Sequence, residues 1–570
     1  MISVPDLAGI HNSTGSNNHF EGFESGYSNT TGNENQFAGF NAGFNNTFGS
    51  YNRFEGYYAG YSNTTGSENH FNGYKAGYFN TTGNENHFEG YYAGYNNTGS
   101  NNLFIGTSTG FYNTTGSNNH FVGFKAGLGN TTGSNNHFAG NNAGYQNSTG
   151  FDNHFDGFSA GYSNTTGAAN LFEGHEAGYK NTTGYENHFA GYRAGYNNTT
   201  GADNQFEGFK AGLGNTTGNQ NYFSGVFAGS SNTTGNNNFI QGYQAGAQNI
   251  SGNNNFITGY QSGYFNTASY NHFTGYQAGV NNTIGTPNQF EGYQAGFSNT
   301  TGSQNHFSGY AAGYKNTTGL SNTYIGYQCG HENITGSNNV MLGYMAGYNE
   351  TGSNKLYISN SFTATPLIYG DFSSGLTRVN GFLNVKRLTE SGNPSLRLTE
   401  TGNHNVQVVY ENTTWVNKWF TTAWGSAQDY NSTFTINYTG FADPNDTRVF
   451  QVSGTGDAFV MGDLIQYSDE RLKKNIRPLE GAINKVMQVK GYSYNWKNPN
   501  KNQEQQIGFI AQQLETVFPQ MVHTDDKGIK SVAYSKMIPV LVEAMKEQQQ
   551  QMDEMRNEIE ELKKLIKNNH

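Results

Sequence analysis

Residues 63–78 read NTTGSENHFNGYKAGY, and variants of this stretch fill most of the first 350 positions. The repeat unit is 17 residues long, with two units of 16, and one large apolar residue marks each copy. Such an array of short units is typical of a solenoid rather than of a globular domain. The marker residues are Phe20, Phe37, Phe54, Phe71, Phe88, Phe104, Phe121, Phe138, Phe155, Phe172, Phe189, Phe206, Phe223, Ile240, Ile257, Phe273, Phe290, Phe307, Tyr324 and Met341.

The order of residue types within one copy predicts the path of one coil. Alternation in an extended segment places Asn69 and Phe71 on one face, with the residues on either side of Phe71 facing outward. Tyr74, Ala76 and Tyr78 share a second face by the same rule. We expect these three residues to fill the coil together with Phe71.

Glycine and the Asn-Thr-Thr-Gly stretches predict the bends. Gly73 and Gly77 separate the extended pieces, and Gly66 is expected to accept a positive φ at the corner, where Asn63 and Thr64 can bond nearby backbone. Each copy therefore predicts one coil of a parallel β-solenoid. About twenty coils at roughly 4.8 Å each give a shaft of about 95 Å. Because one coil has little aliphatic bulk, we expect three chains to share an axis and to bury the aromatic residues.

Composition and charge narrow the classes of function. Aromatic residues make up 15% of the 570 residues, whereas disordered segments are poor in them, so a folded shaft is favoured. The formal net charge is −11 and no basic stripe follows the repeat, which argues against nucleic-acid binding. No apolar run is long enough to cross a bilayer, and no secretion signal is recognisable at residues 1–15. The single cysteine, Cys329, stands where other copies have alanine, so we expect a small buried residue.

The repeat ends near residue 356, and other compositions follow. A linker is predicted over residues 357–386, and a small antiparallel β domain over 387–463, where turn residues separate short alternating runs. An α+β domain is predicted over 464–537 and a coiled coil over 538–570. The predicted fold is therefore mostly β: a parallel solenoid shaft over 1–356, expected to be trimeric, followed by these smaller parts.

The last helix carries an apolar seam. Its members are spaced alternately three and four residues apart over four heptads, which is a strong signal for a coiled coil. The polar Gln548 favours a fixed register and strand number, and Pro539 falls in the first turn of a helix that starts near Ser535. The predicted trimerisation residues are Ile538, Leu541, Met545, Gln548, Met552, Met555, Ile559, Leu562 and Ile566.

Three motifs define the region before and at the start of that helix. They read SDERLKKNI at residues 468–476, IGFIAQQLETVFPQMV at 507–522 and KSVAYSKMIPVLVEAMKEQQ at 530–549. Taken alone, Ser468 is predicted to be a helix N-cap, with two acidic residues in the first turn. Together the motifs resemble the intramolecular chaperone domain of phage tail spikes and tail fibres, the S74 peptidase family, over residues 464–570.

The resemblance implies a domain that trimerises, guides the folding of the β-rich part before it and then cuts itself off. The family motif Ser-Asp-x-Arg-x-Lys is matched by Ser468, Asp469, Arg471 and Lys473. In the family the serine is the nucleophile and the lysine is its base, with Asp469 and Arg471 in supporting positions. Cleavage is then expected between Tyr467 and Ser468, once per chain and without a cofactor.

The rest of the chain shows a second resemblance. The stretches NKLYISNS and TPLIYGDF and the coils are similar to phage and bacterial tail-fibre-domain proteins, and the coils also resemble the β-roll heads of trimeric autotransporter adhesins. These resemblances imply a homotrimeric fibre on a virion tail or cell surface that binds a host or surface ligand, with carbohydrate as one candidate. The candidate ligand aromatics are Trp415, Trp419 and Trp424, although tryptophan is more often a core residue.

Three other interpretations concern the outer face of the repeat. A polysaccharide-degrading tail spike would need paired carboxylates, but the repeat offers only scattered ones: Glu21, Glu55, Glu89 and Glu207. A glycosylated surface filament would use the Asn-Thr-Thr stretches, with candidate attachment at Asn29, Asn63, Asn80 and Asn113. A metal site is not expected, because other residue types interrupt the row of histidines that precede the markers: His19, His70, His87, His120, His137, His154, His188 and His306.

Overall fold

The computed structural model describes residues 7–381, 383, 406–411, 418–424, 433–438, 448–453, 458–460, 464–466, 468–499 and 501–569. Its contacts divide the chain into two compact units, Met1–Leu383 and Asn384–His570. The predicted fold class is confirmed, since a parallel solenoid of about twenty coils is followed by small antiparallel sheets and a C-terminal helix.

Each coil contributes one strand of three residues, centred on its marker residue. Neighbouring strands pair in parallel and in register, so Phe71 lies between Phe54 and Phe88. The strands are β1 (His19–Glu21), β2 (Gln36–Ala38), β3 (Arg53–Glu55), β4 (His70–Asn72), β5 (His87–Glu89), β6 (Leu103–Ile105), β7 (His120–Val122), β8 (His137–Ala139), β9 (His154–Asp156), β10 (Leu171–Glu173), β11 (His188–Ala190), β12 (Gln205–Glu207), β13 (Tyr222–Ser224), β14 (Phe239–Gln241), β15 (Phe256–Thr258), β16 (His272–Thr274), β17 (Gln289–Glu291), β18 (His306–Ser308), β19 (Thr323–Ile325) and β20 (Val340–Leu342).

The core of the shaft is narrow, and one chain fills it. Phe71 and Ala76 are fully buried, and the Phe71 ring stacks on the Phe88 ring with 4.7 Å between centroids. All marker phenylalanines from Phe37 to Phe307 are likewise fully buried within the single chain. The marker residues therefore need no second chain for their burial, contrary to expectation.

The segment that follows each strand forms turns rather than a second extended piece. Tyr74 and Tyr78 remain partly exposed, so the prediction that they fill the coil is wrong, whereas Ala76 does fill it. The residues three positions after most markers carry rings that stack on the outside of the shaft, here called the outer aromatic row, which Thr107, Asn141 and Val226 interrupt. Its longest run of tyrosines is Tyr243, Tyr260, Tyr276, Tyr293, Tyr310, Tyr327 and Tyr344.

Two ladders of buried asparagines join neighbouring coils. In the first ladder, Nδ2 of Asn63 donates to Oδ1 of Asn46 at 2.6 Å and to the carbonyl oxygen of Gly66 at 2.9 Å. In the second ladder, the backbone N–H of Asn69 donates to Oδ1 of Asn52 at 3.0 Å. Because an unpaired buried amide is costly, each ladder requires the next coil to continue the pattern.

The corner glycine is required for space and not for its φ angle. Gly66 does not have a positive φ, which corrects the prediction, but a Cβ there would collide with the carbonyl oxygen of Gly83 in the next coil. Gly77 needs both properties, since its φ is 58° and a Cβ would lie 2.5 Å from the Phe71 ring. A second left-handed position carries a side chain in most coils, as at Lys75 with φ 54°.

The predicted linker is in part ordered strand. Three strands, β21 (Lys355–Ile358), β22 (Ile368–Asp371) and β23 (Leu376–Val379), follow the last coil. The first continues the parallel sheet beside β20, and the other two are antiparallel to it. An ion pair of 2.7 Å between Lys355 and Asp371 joins β21 to β22. These strands therefore cap the C-terminal end of the solenoid.

An antiparallel sheet of five strands, a predicted part of the fold, lies in the second unit. The predicted run SLRLTE at 395–400 lies outside the described residues. Consecutive strands pair with each other. The strands are β24 (Val406–Glu411), β25 (Lys418–Trp424), β26 (Thr433–Tyr438), β27 (Arg448–Ser453) and β28 (Ala458–Val460).

The C-terminal part combines short elements with one long helix. Leu514 and Phe518 are buried, in agreement with their helical spacing, and pack with Val540 and Ala544. The long helix starts two residues after the predicted Ser535. The elements are a 3-10 turn (Glu470–Leu472), α1 (Ala482–Val486), the hairpin of β29 (Gly491–Tyr494) and β30 (Gln506–Phe509), α2 (Ala511–Val517), a 3-10 turn (Pro519–Met521), the hairpin of β31 (Val522–Thr524) and β32 (Lys530–Val532), a 3-10 turn (Tyr534–Lys536) and α3 (Met537–Asn568).

Candidate functional site

Ser468 and Lys473 contact each other directly. Nζ of Lys473 donates to Oγ of Ser468 at 2.6 Å, across a spacing of five residues. The 3-10 turn Glu470–Leu472 lies between them and brings the two side chains to the same side of the chain. The structure thus places the predicted nucleophile and its predicted base within hydrogen-bond reach, the geometry that a serine–lysine pair requires.

The supporting residues of the motif also pair. Arg471 binds both carboxylate oxygens of Asp469, with a shortest distance of 2.5 Å, and its backbone N–H donates to the same carboxylate at 2.9 Å. These hydrogen bonds lower the pKa of Asp469. Asp469 and not Ser468 is the N-cap of the turn, so the capping prediction is wrong by one residue. As a result the Ser468 hydroxyl is free to contact Lys473.

The segment that carries this pair is exposed. Residues 464–466 and 468–480 are all exposed, and Tyr467, on the other side of the predicted scissile bond, lies outside the described residues. The segment includes large apolar side chains such as Ile465, Leu472 and Ile476, which are more than half exposed. Such exposed apolar residues on one chain are typical of a surface that another chain covers.

Helix α3 has two different faces. Met537, Val540 and Ala544 are buried against the rest of the domain, and the Glu547 carboxylate accepts the backbone N–H groups at the start of α1 at 2.8 and 2.9 Å. The predicted seam lies on the remaining surface, and its apolar members range from 43% exposed at Leu541 to 69% at Met545. The seam is therefore available to other chains. The role of Glu547 was not predicted from the sequence. Its only distinguishing feature there is that it precedes the polar seam residue Gln548.

The structure describes only two of the three tryptophans that were predicted to contact a ligand. Trp419 and Trp424 belong to β25, where Trp419 pairs with Tyr438 and Trp424 pairs with Thr433. Trp415 lies outside the described residues. A ligand role for these residues stays a prediction.

The candidate glycan sites do not suit the folded coil. Asn29, Asn63, Asn80 and Asn113 are fully buried, and each Nδ2 donates to an asparagine in the neighbouring coil and to a glycine carbonyl. An attached glycan would break these bonds and would have no room. The sequons are thus the buried ladder of the solenoid, which corrects the suggestion of a sugar-coated edge.

The outer rows of the strands carry histidines and acids. His120, His137 and His154 stack with 4.5 Å between successive ring centroids. Partial burial lowers the pKa of His137, and the two neighbouring imidazoles lower it further. Within the described ranges no group of three or more His, Cys, Asp or Glu side chains is arranged to hold a metal ion. The scattered acids are on the same sheet face, with Asn72 in register between Glu55 and Glu89.

Cys329 is a buried core residue, as predicted. It is fully inaccessible, and Sγ lies 3.0 Å from the Met341 carbonyl oxygen. Burial raises the pKa of the thiol to about 12. No helix in the described part of the chain has the length and apolar character needed to span a membrane.

Comparison with known proteins finds a family match for the segment that carries this pair. Residues 468–523 match the family model of the S74 peptidases, described as the chaperone of endosialidase. The chain is also similar to long tail fiber protein Gp37 of Salmonella phage S16, with 29% identity over 120 residues, which are 20% of this chain and 16% of that protein.

Two further relatives are long tail fiber proteins Gp37. The protein of Enterobacteria phage K3 is 34% identical over 119 residues, covering 18% of this chain and 9% of the relative. The protein of Enterobacteria phage T2 is 35% identical over 105 residues, covering 15% and 8%. The matches thus span less than a fifth of the length of each relative, and no solved structure matches the chain. The segment that holds Ser468 and Lys473 thus matches the model of the chaperone of endosialidase family, as its motifs predict.

Proposed function

We propose that this chain forms a homotrimeric fibre of a phage tail, in which the solenoid is the shaft and the C-terminal domain is a chaperone that removes itself. The observation that carries the proposal is the 2.6 Å contact between Lys473 and Ser468 in a segment of the chaperone of endosialidase family. The similarity to long tail fiber proteins supports a place on the virion.

The cleavage uses the two side chains in named roles. The neutral amine of Lys473 takes the proton from Oγ of Ser468, and Oγ attacks the carbonyl carbon of Tyr467. The C–N bond between Tyr467 and Ser468 breaks, and the freed amino group of Ser468 takes up a proton. Water then hydrolyses the resulting ester, which leaves a carboxylate on Tyr467 and restores the Ser468 hydroxyl. Each chain reacts once.

Assembly prepares this reaction. A lysine acts as a base only when it is neutral, and removal from water favours the neutral amine. The pair is exposed in the single chain, so neighbouring chains that cover residues 464–480 would supply the drier surroundings. Cleavage would then follow trimerisation instead of preceding it.

The shaft gives the chaperone its task. Parallel coils form through contacts between residues far apart in sequence, which fold slowly and expose strand edges while they do so. The exposed seam of α3 would bring three chains together through local helix formation and raise their effective concentration. The chains would then start folding in register.

The fibre would present a host-binding part, and the five-stranded sheet with Trp419 and Trp424 is the candidate. A binding assay on host cells, with the Trp419→Ala and Trp424→Ala variants, tests this role.

Cleavage is tested separately by denaturing gel electrophoresis of the wild type and of the Ser468→Ala and Lys473→Ala variants. The wild type should release a C-terminal fragment, and both variants should remain intact.

A further inference from the structure

The last coil of the solenoid departs from the repeat at one position of the buried asparagine ladder. The residue nine positions after the marker is asparagine in every earlier coil, but after Met341 it is Glu350. A carboxylate has no N–H group, so it cannot donate to Asn333 as the ladder requires. The ladder therefore ends here, and Oδ1 of Asn333 accepts the backbone N–H of Gly336 instead, at 2.7 Å.

Glu350 lines a cleft at this end of the shaft. Its carboxylate oxygens accept the backbone N–H of Gly352 at 2.7 Å and the hydroxyl of Tyr357 at 2.6 Å. Within the described ranges no lysine, arginine or histidine forms an ion pair with Glu350, and the nearby Lys355 binds Asp371 at 2.7 Å. These three charged side chains together leave one negative charge beside the cleft.

Aromatic rings form the walls of the cleft. Tyr348 ends a stack of four rings, with 4.8 Å between its centroid and that of His331 in the preceding coil. The next position in this row of rings is Ala364, seven residues after Tyr357, which pairs with the last marker. Phe362 lies beside Tyr348 instead, with the two rings perpendicular and 5.4 Å between centroids.

The missing ring leaves a concave space of about 420 Å³, the size of a small-molecule site. Phe362 is 57% exposed, so much of its ring is available to a ligand. The lining includes Tyr348, Asn349, Glu350, Tyr357, Phe362 and Thr363.

The combination of rings with one carboxylate selects the class of ligand. The face of an aromatic ring attracts a cation, and groups of such rings recognise quaternary and methylated ammonium ions. A negative charge without a paired cation adds to this attraction. A neutral sugar would contact the rings but would gain nothing from the charge, and a metal ion would find only one carboxylate, since no group of metal ligands lies in the described residues.

We propose that this cleft binds an organic cation with a quaternary or methylated ammonium group of the size of choline. The ammonium group would lie between the rings of Tyr348 and Phe362, with the Glu350 carboxylate as its counter-ion. The site is formed by one chain, so the proposal goes beyond the proposed function and depends on neither trimerisation nor cleavage.

Titration of the full chain with choline, followed by ligand-observed NMR, tests the proposal. We expect saturable binding of choline and none of its neutral analogue, which has a tert-butyl group in place of the trimethylammonium group. Phosphocholine distinguishes the sources of the cation. Binding of both compounds would mean that the cleft accepts a choline group that is part of a larger molecule, whereas binding of choline alone would identify the free cation as the ligand.

Two variants locate the bound cation. Phe362→Ala removes one wall, and Glu350→Asn introduces the ladder residue of the other coils and so preserves the coil. Each should weaken choline binding about tenfold, the effect of one cation–π or charge contact removed from water. Phe372→Ala is the control and should bind like the wild type, because Phe372 is 56% exposed but does not line the cleft.

Three results would overturn the proposal. The first is the absence of saturable choline binding to the wild type, including the case in which a methyl glycoside binds instead. The second is equal binding of the neutral analogue, which would mean that the charge has no role. The third is unchanged choline binding in both Phe362→Ala and Glu350→Asn, which would place the cation elsewhere on the chain.

Discussion

Asn147 and Asn164 are 17 residues apart in sequence, yet Nδ2 of Asn164 donates to Oδ1 of Asn147 at 2.7 Å inside the shaft. Nδ2 of Asn164 also donates to the Gly167 carbonyl oxygen at 2.9 Å, and Asn181 repeats the pattern one coil later. The amide ladder thus links each coil to the next with hydrogen bonds that water does not reach.

Removal of one amide from this ladder should loosen the coils around it. Asn164→Ala leaves Oδ1 of Asn147 without its donor and removes the side-chain acceptor of Nδ2 of Asn181, and each buried group left unpaired costs about 1–3 kcal/mol. Hydrogen exchange measured by mass spectrometry should show faster exchange in the coils that contain residues 147, 164 and 181. Asn72→Ala is the control, because Asn72 is exposed on the strand. Equal exchange in both variants would contradict the role of the ladder.

Mild acid should weaken the shaft through its histidines. Partial burial lowers the pKa of His70 and of His137, and neighbouring imidazoles lower it further. Because the unfolded chain has a histidine pKa of about 6.5, it binds more protons than the folded chain as the pH falls below that value. The contribution of these residues to stability is therefore complete above about pH 6.5 and is lost below it as the pH falls through the lower pKa of the folded state.

Glutamine, which occupies this row at position 36, provides the variant. The thermal unfolding temperature of the double variant His70→Gln with His137→Gln should fall less than that of the wild type between about pH 7.5 and about pH 5. These two values lie on either side of the unfolded pKa. Leu103→Gln changes the same row without removing a titrating group and should keep the pH dependence of the wild type. Identical pH dependence in all three proteins would rule out these histidines as its source.

The seam of α3 should control assembly without controlling the fold of the domain. Ile559 is 51% exposed in the single chain and belongs to the seam. Ile559→Glu would place three carboxylates together between the helices, so we expect the mass from light scattering to fall from trimer to monomer. Asn557→Glu adds the same charge outside the seam and should remain trimeric. A trimeric Ile559→Glu would mean that the chains associate elsewhere.

The sequence predicted the repeat, the register and the parallel sheet, because the marker residues recur at one spacing and each occupies the centre of its coil. It did not predict which aromatics stay outside. Tyr74 and Phe71 are both aromatic, but Phe71 is buried and Tyr74 is partly exposed. Tyr74 stays outside because it lies in the turn after Gly73, where Lys75 instead of a glycine has a left-handed backbone. A residue that has a side chain and a left-handed backbone conformation cannot be recognised from the sequence of a single copy of the repeat.

The sequons illustrate the same limit. Asn-Thr-Thr is a surface signal in an isolated loop, and its burial arises only when a second coil places Asn46 against Asn63. At the candidate site, by contrast, the resemblance to the S74 peptidase family identified Ser468 and Lys473, and a single short turn brings the two side chains together. The apolar seam of α3 was likewise predicted from the sequence. Its exposure in the single chain was not predicted.

The most direct test of the account is the intact mass of the purified wild-type protein after assembly. We expect a C-terminal fragment that begins at Ser468 and a shaft fragment that ends at Tyr467, with both absent from Ser468→Ala and Lys473→Ala. A trimeric wild-type protein whose mass remains that of the full 570-residue chain would contradict self-cleavage by this pair.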